Sequence, residues 1–453
     1  MNASITSISP QFSVRRYHRV LAVLGTRPEA IKMAPVVRAL EQTGIEHAVC
    51  STGQHREMLA QVFNVFGLKP TFDLQLMSAG KELGEIAGAA VAAVTKVIGA
   101  YKPDLVLVQG DTTTAFAGAA AAFFSRVAVA HVEAGLRTGD MQAPWPEEAN
   151  RRLVGVVADW HFAPTVRAQQ NLLRENADPR RILITGNTGI DALRMMRERF
   201  LRDANLRGAC EAKFSFIDPT KKLVLVTGHR RENFGEGLAQ VFRGFARIAQ
   251  RPDVQIVYPV HLNPNVKGPA YELLGGVGNV HLIPPVEYHE MVYLMERASL
   301  IITDSGGIQE EAPSFGVPVL VTRDVTERQE AVEAGCARLI GTDPRKMLPE
   351  AIRILENVGH RVHGQSHQNP FGDGYASARI CAALMGAPDA FAGLSNSHPV
   401  QQAGKYVVAS SALLPRKSAS LAHGRHRGFL RGDLDRRARG GSPESCAGVR
   451  ISF

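Results

Sequence analysis

From Arg19 onward, short runs of β-branched and aliphatic residues alternate with longer Ala- and Leu-rich segments, the pattern of parallel strands joined by helices. The first series of predicted strands is Val20–Leu24, His47–Ser51, Leu105–Gln109, Val127–Val132, Trp160–Ala163 and Ile182–Thr185. Each is apolar enough to be covered on both faces. A second series follows a break: Leu223–Thr227, Val254–Tyr258, Val280–Ile283, Leu300–Thr303 and Val317–Val321. Between the two, the charge-dense stretch Arg194 to Lys222, with its Asp218-Pro219 turn, predicts a surface helix and a connector. A last packed helix is predicted from Ser377 to Leu384.

The fold class this implies is α/β, with two Rossmann-like doubly wound domains in tandem. Ligands of such sheets bind beyond the C-terminal strand ends, so a site in the cleft between the domains is expected. The expected organisation is an N-terminal extension over 1–19, a first domain over 20–190, a second over 191–370, a C-terminal helix within 371–387 and a tail over 388–453. The tail turns to Ser, Gly, Arg and Ala with no sustained period, a composition that cannot assemble a core, and is expected to be disordered.

Charge changes the picture less than its total suggests. With 52 Lys and Arg against 43 Asp and Glu, the formal net charge of +9 invites a nucleic-acid or membrane-surface partner. Residues 1–19, however, hold Arg15, Arg16 and Arg19 with no acid, and residues 388–453 hold ten basic and four acidic side chains, which leaves residues 20–387 near neutral. That core shows no basic stripe interleaved with aromatics, so neither nucleic acid nor membrane is an expected partner. The apolar stretches Ala87–Ala100 and Ala115–Phe124, broken by Lys96 and Arg126, fall short of the roughly 18 clean apolar residues of a span. The Ser-rich, acid-free N-terminus lacks the apolar block of a secretory signal. Five widely spaced cysteines without a C-x-x-C pair fit a reducing cytoplasm.

Seven segments carry chemistry, most of them at predicted strand exits. Gly25-Thr26-Arg27-Pro28-Glu29 through Lys32 reads as strand, tight turn and helix start, with Pro28 in the first turn, backbone N–H groups open to an anion and two cations beside them. Asp111, in Gly110-Asp111-Thr112, serves either as a helix cap or as a catalytic carboxylate. In His131-Val132-Glu133 a polar pair interrupts an apolar run, and burying a carboxylate without a role is costly. Pro146-Glu147-Glu148 opens a helix on which Glu147 and Arg151 form an i, i+4 pair.

In the second series, Gly228-His229-Arg230-Arg231 places three basic side chains at a strand exit, which suits a diphosphate. His261, between a strand and a Pro-broken turn, is by itself an ordinary turn histidine. Ser305-Gly306-Gly307 leaves the backbone bare for phosphate oxygens at a helix start, and Glu311 lies where a carboxylate can accept two ribose hydroxyls. Glu310 is compatible with a plain surface position.

With these segments in this order, the chain resembles the non-hydrolysing UDP-N-acetylglucosamine 2-epimerases over about residues 19–387. GTRPEAIKMAP, GDTTT, HVEAGLRTGD, PWPEEANR, TGNTGIDAL, TGHRREN, YPVHLNPNV and TDSGGIQEEAPS all look like signatures of that family. The resemblance implies a glycosyltransferase-B-like fold, reversible inversion at C2 of UDP-GlcNAc to UDP-ManNAc for surface polysaccharide synthesis, no nicotinamide cofactor, no obligatory metal and a homodimer. It also implies site residues. Arg27, Lys32, His229, Ser305, Gly306 and Gly307 look like the diphosphate cradle, Glu311 the ribose carboxylate and Arg328 a nucleotide-side contact. Asp111, Glu133, Glu147 and Arg151, together with His229, look like the catalytic set.

Gln54, His55 and His261 match an allosteric site for a second UDP-GlcNAc found in several bacterial members. Glu57 and the Met77–Lys81 segment depart from that pattern, which puts activation by substrate in doubt. Gln329 stands where the family usually has proline, a change expected to loosen the turn after Arg328. Within the same class, the alternative is a 2-epimerase of a modified UDP-sugar of the 2,3-diacetamido uronic acid type. From another class, a UDP-sugar glycosyltransferase uses the same fold but has no evident reason for three carboxylates in the first domain.

Overall fold

The computed structural model describes residues 15–53, 56–76, 82–228, 230, 233–357 and 369–387. Expectations for most of the N-terminal extension, for Gln54, His55, the Met77–Lys81 segment and His229, and for the tail over 388–453 lie outside these residues.

Two parallel sheets form the frame. The first contains β1 (Arg19–Leu24), β2 (Glu46–Ser51), β3 (Phe72–Asp73), β4 (Leu105–Gln109), β5 (Ala128–Val132), β6 (Trp160–Ala163) and β7 (Ile182–Ile184) in the order 3-2-1-4-5-6-7. The second contains β8 (Lys222–Thr227), β9 (Val254–Pro259), β10 (Val280–Ile283), β11 (Leu300–Thr303), β12 (Val319–Val321) and β13 (Ala337–Leu339) in the order 10-9-8-11-12-13. The second therefore repeats the first with one strand fewer. In each the chain reverses its winding direction beside the first strand, between β1 and β4 and between β8 and β11, and a crevice at that point is where such sheets hold ligands.

Burial explains why the strands read clearly from sequence. Val20 to Leu24 and Leu105 to Val108 are all at most 1% exposed, so apolar side chains line both faces of the central strands. The edge strands β3 and β13 were not predicted, because two and three residues are too short to show an apolar run. β12 starts at Val319 rather than Val317, just past Pro318, which has no N–H to give a ladder.

The charged stretch after Asp191 differs from expectation. It forms two helices, Thr188–Arg202 and Ala204–Lys213, and the first buries Leu193, Met196 and Phe200, so it is an amphipathic packing helix rather than a surface one. Asp191 is fully buried within it and accepts hydrogen bonds from Ala376 N (3.1 Å), Ser377 N (2.8 Å) and Ser377 Oγ (2.5 Å). It thereby caps the Ala376–Leu384 helix, which returns to pack on the Arg27–Thr43 helix.

The Leu83–Tyr101 helix is longer than the apolar stretch read from sequence and, by length and composition alone, long and apolar enough to cross a membrane. It buries Ala90, Ala93, Val94, Val97 and Ile98 along one face, against the Thr113–Phe124 helix, and leaves Lys96 exposed.

Candidate active site

The turn after β1 is built by its own sequence. Thr26 caps the Arg27–Thr43 helix and Glu29 completes a capping box, with Pro28 in the first turn. Buried Glu29 accepts from Gly25 N (2.9 Å), Thr26 N (2.7 Å) and Thr112 Oγ1 (2.5 Å). This corrects the expectation of open N–H groups, since those of Gly25 and Thr26 already serve Glu29. Glycine is required at 25 because a Cβ there would fall 2.2 Å from both Thr52 Oγ1 and Thr114 Oγ1.

The cations of this turn reach outward to the second sheet. Arg27 donates from Nη2 to Val286 O at 3.0 Å. Lys32 bonds the carboxylate of Glu133 and lies 2.9 Å from Glu310 Oε2, so one ammonium joins a strand exit of the first sheet to a helix of the second. Arg328 donates from Nε to Glu310 Oε1 at 2.9 Å. The four side chains are nearly sealed from solvent. Burial alone would lower the Lys32 pKa, but Glu133 and Glu310 outweigh it and hold the ammonium charged. Burial would likewise raise Glu310, and Lys32 with Arg328 reverse this and hold its carboxyl below the ordinary value. Glu133, with the same cation on one side and the Glu310 charge beyond it, stays raised by burial.

Glu133 also adopts a left-handed backbone (φ 66°), a conformation that costs a non-glycine residue about 1–3 kcal/mol and is held by surrounding structure.

A second cluster stands at the exit of β4. Asp111 accepts from Arg151 Nη2, while Arg151 Nη1 donates to Glu148 Oε2 at 2.9 Å. Glu148 is fully buried and also accepts from Thr138 N (3.0 Å), Gly139 N (3.3 Å) and Arg152 Nε (3.2 Å). Asn150 Nδ2 holds the Asp111 carbonyl at 2.9 Å. The expected Glu147–Arg151 pair is replaced by this arrangement: helix spacing brings both glutamates within reach of Arg151, and the guanidinium lies with buried Glu148 and Asp111. Glu147 keeps a buried Oε2 with no hydrogen-bond partner among the described residues. Behind Asp111, His131 Nε2 meets Gly110 O at 2.7 Å, and burial pushes the imidazole down to about 3, so the ring is neutral and Nε2 carries the donated proton.

On the second sheet, the Gly306–Glu311 helix begins at Ser305, and a Cβ on Gly306 would come within 2.8 Å of Arg328 Cζ, so glycine lets the guanidinium lie against the helix start. Tyr288 OH donates to Glu311 Oε1 at 3.4 Å, and burial followed by the neighbouring Glu310 charge raises Glu311 to about 8. Arg230 N donates to Asp304 Oδ2 at 2.8 Å, which fixes the loop after β8 to the exit of β11. At Gln329 the turn is not left loose: the side-chain amide donates to Thr326 O at 2.8 Å.

The structure thus brings Lys32, Glu133 and Arg328 into one array, with Arg27, Glu311 and the Ser305-Gly306-Gly307 segment around it, and joins Asp111 to Arg151 beside Glu147. The Arg328 charge is felt at Arg151, so the two clusters adjoin electrostatically. His261 is exposed, its Nδ1 accepting from Asn263 N at 3.1 Å. Sequence reasoning missed Glu148 and Glu310 as hubs. The signal for Glu148 was its i, i+3 spacing to Arg151; Glu310, adjacent to another glutamate, carried no comparable sign.

Two Rossmann-like doubly wound domains, with cations and carboxylates gathered where their strand exits face one another, make this an α/β enzyme of glycosyltransferase-B-like architecture. The sequence profile of the UDP-N-acetylglucosamine 2-epimerase family matches residues 38–385, and the chain belongs to that family. UDP-N-acetylglucosamine 2-epimerase of Escherichia coli K12 is 54% identical over 368 residues, spanning 81% of this chain and 98% of its own. The crystal structure of UDP-GlcNAc 2-epimerase from Neisseria meningitidis bound to UDP-GlcNAc superposes with a TM-score of 0.77 at 47% identity, covering 81% of this chain and 99% of that one. The Methanocaldococcus jannaschii UDP-GlcNAc 2-epimerase in complex with UDP-GlcNAc and UDP gives 0.70 at 35% identity, with 81% and 99% covered.

Proposed function

We propose that this chain interconverts UDP-GlcNAc and UDP-ManNAc by eliminating UDP and adding it back through 2-acetamidoglucal. The observation that carries the reading is the adjacency of two arrays: the buried cations Lys32 and Arg328, whose charge reaches Arg151, and Asp111 held by Arg151, one helical turn from Glu147, whose Oε2 has no hydrogen-bond partner among the described residues. The C2 proton is not acidic while C1 keeps its bond to phosphate. When that C–O bond breaks, its electron pair leaves with UDP, positive charge develops at C1, and a carboxylate can take the C2 proton to form the C1=C2 double bond. Return of UDP to C1 with a proton delivered to the opposite face of C2 gives the epimer.

In this scheme Arg27, Lys32, Arg328, His229 and the Ser305-Gly306-Gly307 backbone receive the departing diphosphate, and Glu311 accepts the ribose hydroxyls. Asp111 and Glu147 carry protons on the two sides of C2, Arg151 orients Asp111, and Glu133 sets the ionisation around them. The lobes 20–190 and 191–370 hold the sugar and the nucleotide respectively.

The enzyme acts in the cytoplasm as a homodimer. Exposed Phe123 and Phe124, at the end of one helix, and Leu153 and Val156, on its packed neighbour, form the apolar face that a second copy would cover. Incubation of UDP-GlcNAc with the purified chain tests the reading: UDP-ManNAc is the expected product, and a chain truncated after Ala387 is expected to make it equally well. Free ManNAc, or transfer of the sugar to an acceptor, would overturn it.

A further inference from the structure

Resting on the nucleotide site proposed above, we propose that Glu310 is a positioning residue that shares Lys32 with Glu133 across the two lobes, so that arrival of a diphosphate drives one proton onto this carboxylate pair.

The array holds two cations, Lys32 and Arg328, and two carboxylates, Glu133 and Glu310, so it is neutral as it stands. Lys32 has Glu133 on one side and Glu310 at 2.9 Å on the other, and Arg328 holds Glu310 through Nε and, at 2.9 Å, through Nη2. Neither carboxylate has solvent to fall back on: their side chains are 7% and 2% exposed. A diphosphate seated on Lys32 and Arg328 adds negative charge to the same buried space and claims the same donors. A buried carboxylate that loses its counter-cation is relieved by binding a proton, because desolvation penalises its charged form.

The groups that face the array from the elements around it are compatible with this. Glu327 approaches Arg328 Nη1 at 3.5 Å and is itself paired with Arg323 at 2.8 Å. Among the described residues, Glu311 with Tyr288 and Arg27 beside it, and more distantly Arg151, also face it. The proton comes from solvent as the nucleotide enters and leaves with it, so no net proton is consumed by the epimerisation. Its consequence is that the Glu133–Glu310 pair carries one negative charge less while the nucleotide is bound, at a strand exit that neighbours the one bearing Asp111. Glu310 touches no reacting atom; its role runs through Lys32 and Glu133.

UDP-induced infrared difference spectra at pH 8, where the terminal phosphate of UDP is already ionised given a second pKa of about 6, test this directly, with calorimetry on the same samples to establish binding. The expected result is a new carbonyl band of a protonated carboxyl when UDP binds the full-length protein. Because loss of the Glu311 proton would remove a carbonyl band in the same region, the spectra are recorded in a Glu311→Gln background as well, where that contribution is absent and only the new band remains. In Glu310→Gln the two cations face one carboxylate, and the surplus charge meets the phosphate without protonation. The band is therefore expected to vanish while UDP binds as tightly as before or more tightly, and turnover falls.

Glu310→Asp, which keeps the charge, is expected to retain the band. A band that persists in Glu310→Gln, or that never appears although calorimetry shows UDP bound, overturns the inference. If UDP does not bind the unaltered protein at all, the nucleotide site itself has been misread.

Discussion

The two acidic clusters of the cleft are built from the same residue types but to different ends. The array of Lys32, Glu133, Glu310 and Arg328 spans both sheets, is nearly sealed from solvent, and pairs every charge. The cluster of Asp111, Arg151, Glu148 and Glu147 belongs to the first sheet alone; Asp111 is 28% exposed, and Glu147 has an oxygen without a hydrogen-bond partner among the described residues. A buried array in which every charge has an opposite partner is suited to hold a fixed charge pattern and to answer a new anion. A half-open cluster with an unoccupied carboxylate oxygen is suited to move protons. The difference teaches that proximity of carboxylates to a cleft does not assign a role; what each one is already bonded to does.

The contrast can be broken most severely at the half-open cluster. Asp111→Asn and Glu147→Gln are each expected to lower kcat by about a thousandfold, the scale of a lost general acid or base and about 4 kcal/mol of barrier. UDP affinity by calorimetry should stay within about threefold of the unaltered protein. Near-normal turnover in both would reassign the proton-carrying residues.

Glu148→Gln should act differently although it neighbours Glu147. It removes the buried partner of Arg151, and breaking such a pair costs on the order of 3–5 kcal/mol. A lowered urea midpoint is expected, with turnover reduced because Asp111 loses the orientation that Arg151 provides. A substitution that leaves the midpoint unchanged would show that Glu148 does not anchor the cluster.

The smallest effect is expected at the edge of the sealed array. Glu311→Gln should raise KM about tenfold with less change in kcat, as loss of binding shared by ground and transition states does. Its pH dependence has a definite sign. Below about 8 the ligand-free carboxyl is protonated, so accepting two ribose hydroxyls requires release of a proton. The ratio of wild-type to Glu311→Gln affinity for UDP should therefore climb as pH rises, by up to about tenfold per unit, and flatten above about 8. A ratio independent of pH would remove Glu311 from the ribose.

The central strands were legible in sequence because burial on both faces forces a continuous apolar run, as in Val20–Leu24 and Leu105–Gln109. β3 and β13 were not, since their short edges carry no such run. Lys32 and Glu133 could be picked out as candidate site residues from motif and position, and Arg328 from the family resemblance, but their mutual pairing could not. Neither the φ of Glu133 nor the meeting of two lobes is written in local spacing. Glu147 and Glu148 look equivalent in sequence, both acids in the first turn of one helix. A rotation of about 100° between successive residues decides that Glu148 is fully buried with Arg151 while Glu147 is only partly so.

The central claim is that the C2 proton is lost to a carboxylate and a new one delivered to the opposite face, and proton NMR of UDP-GlcNAc turned over in deuterated water tests it most directly. The account predicts UDP-ManNAc carrying deuterium at C2. Formation of UDP-ManNAc with its original C2 proton fully retained would contradict it.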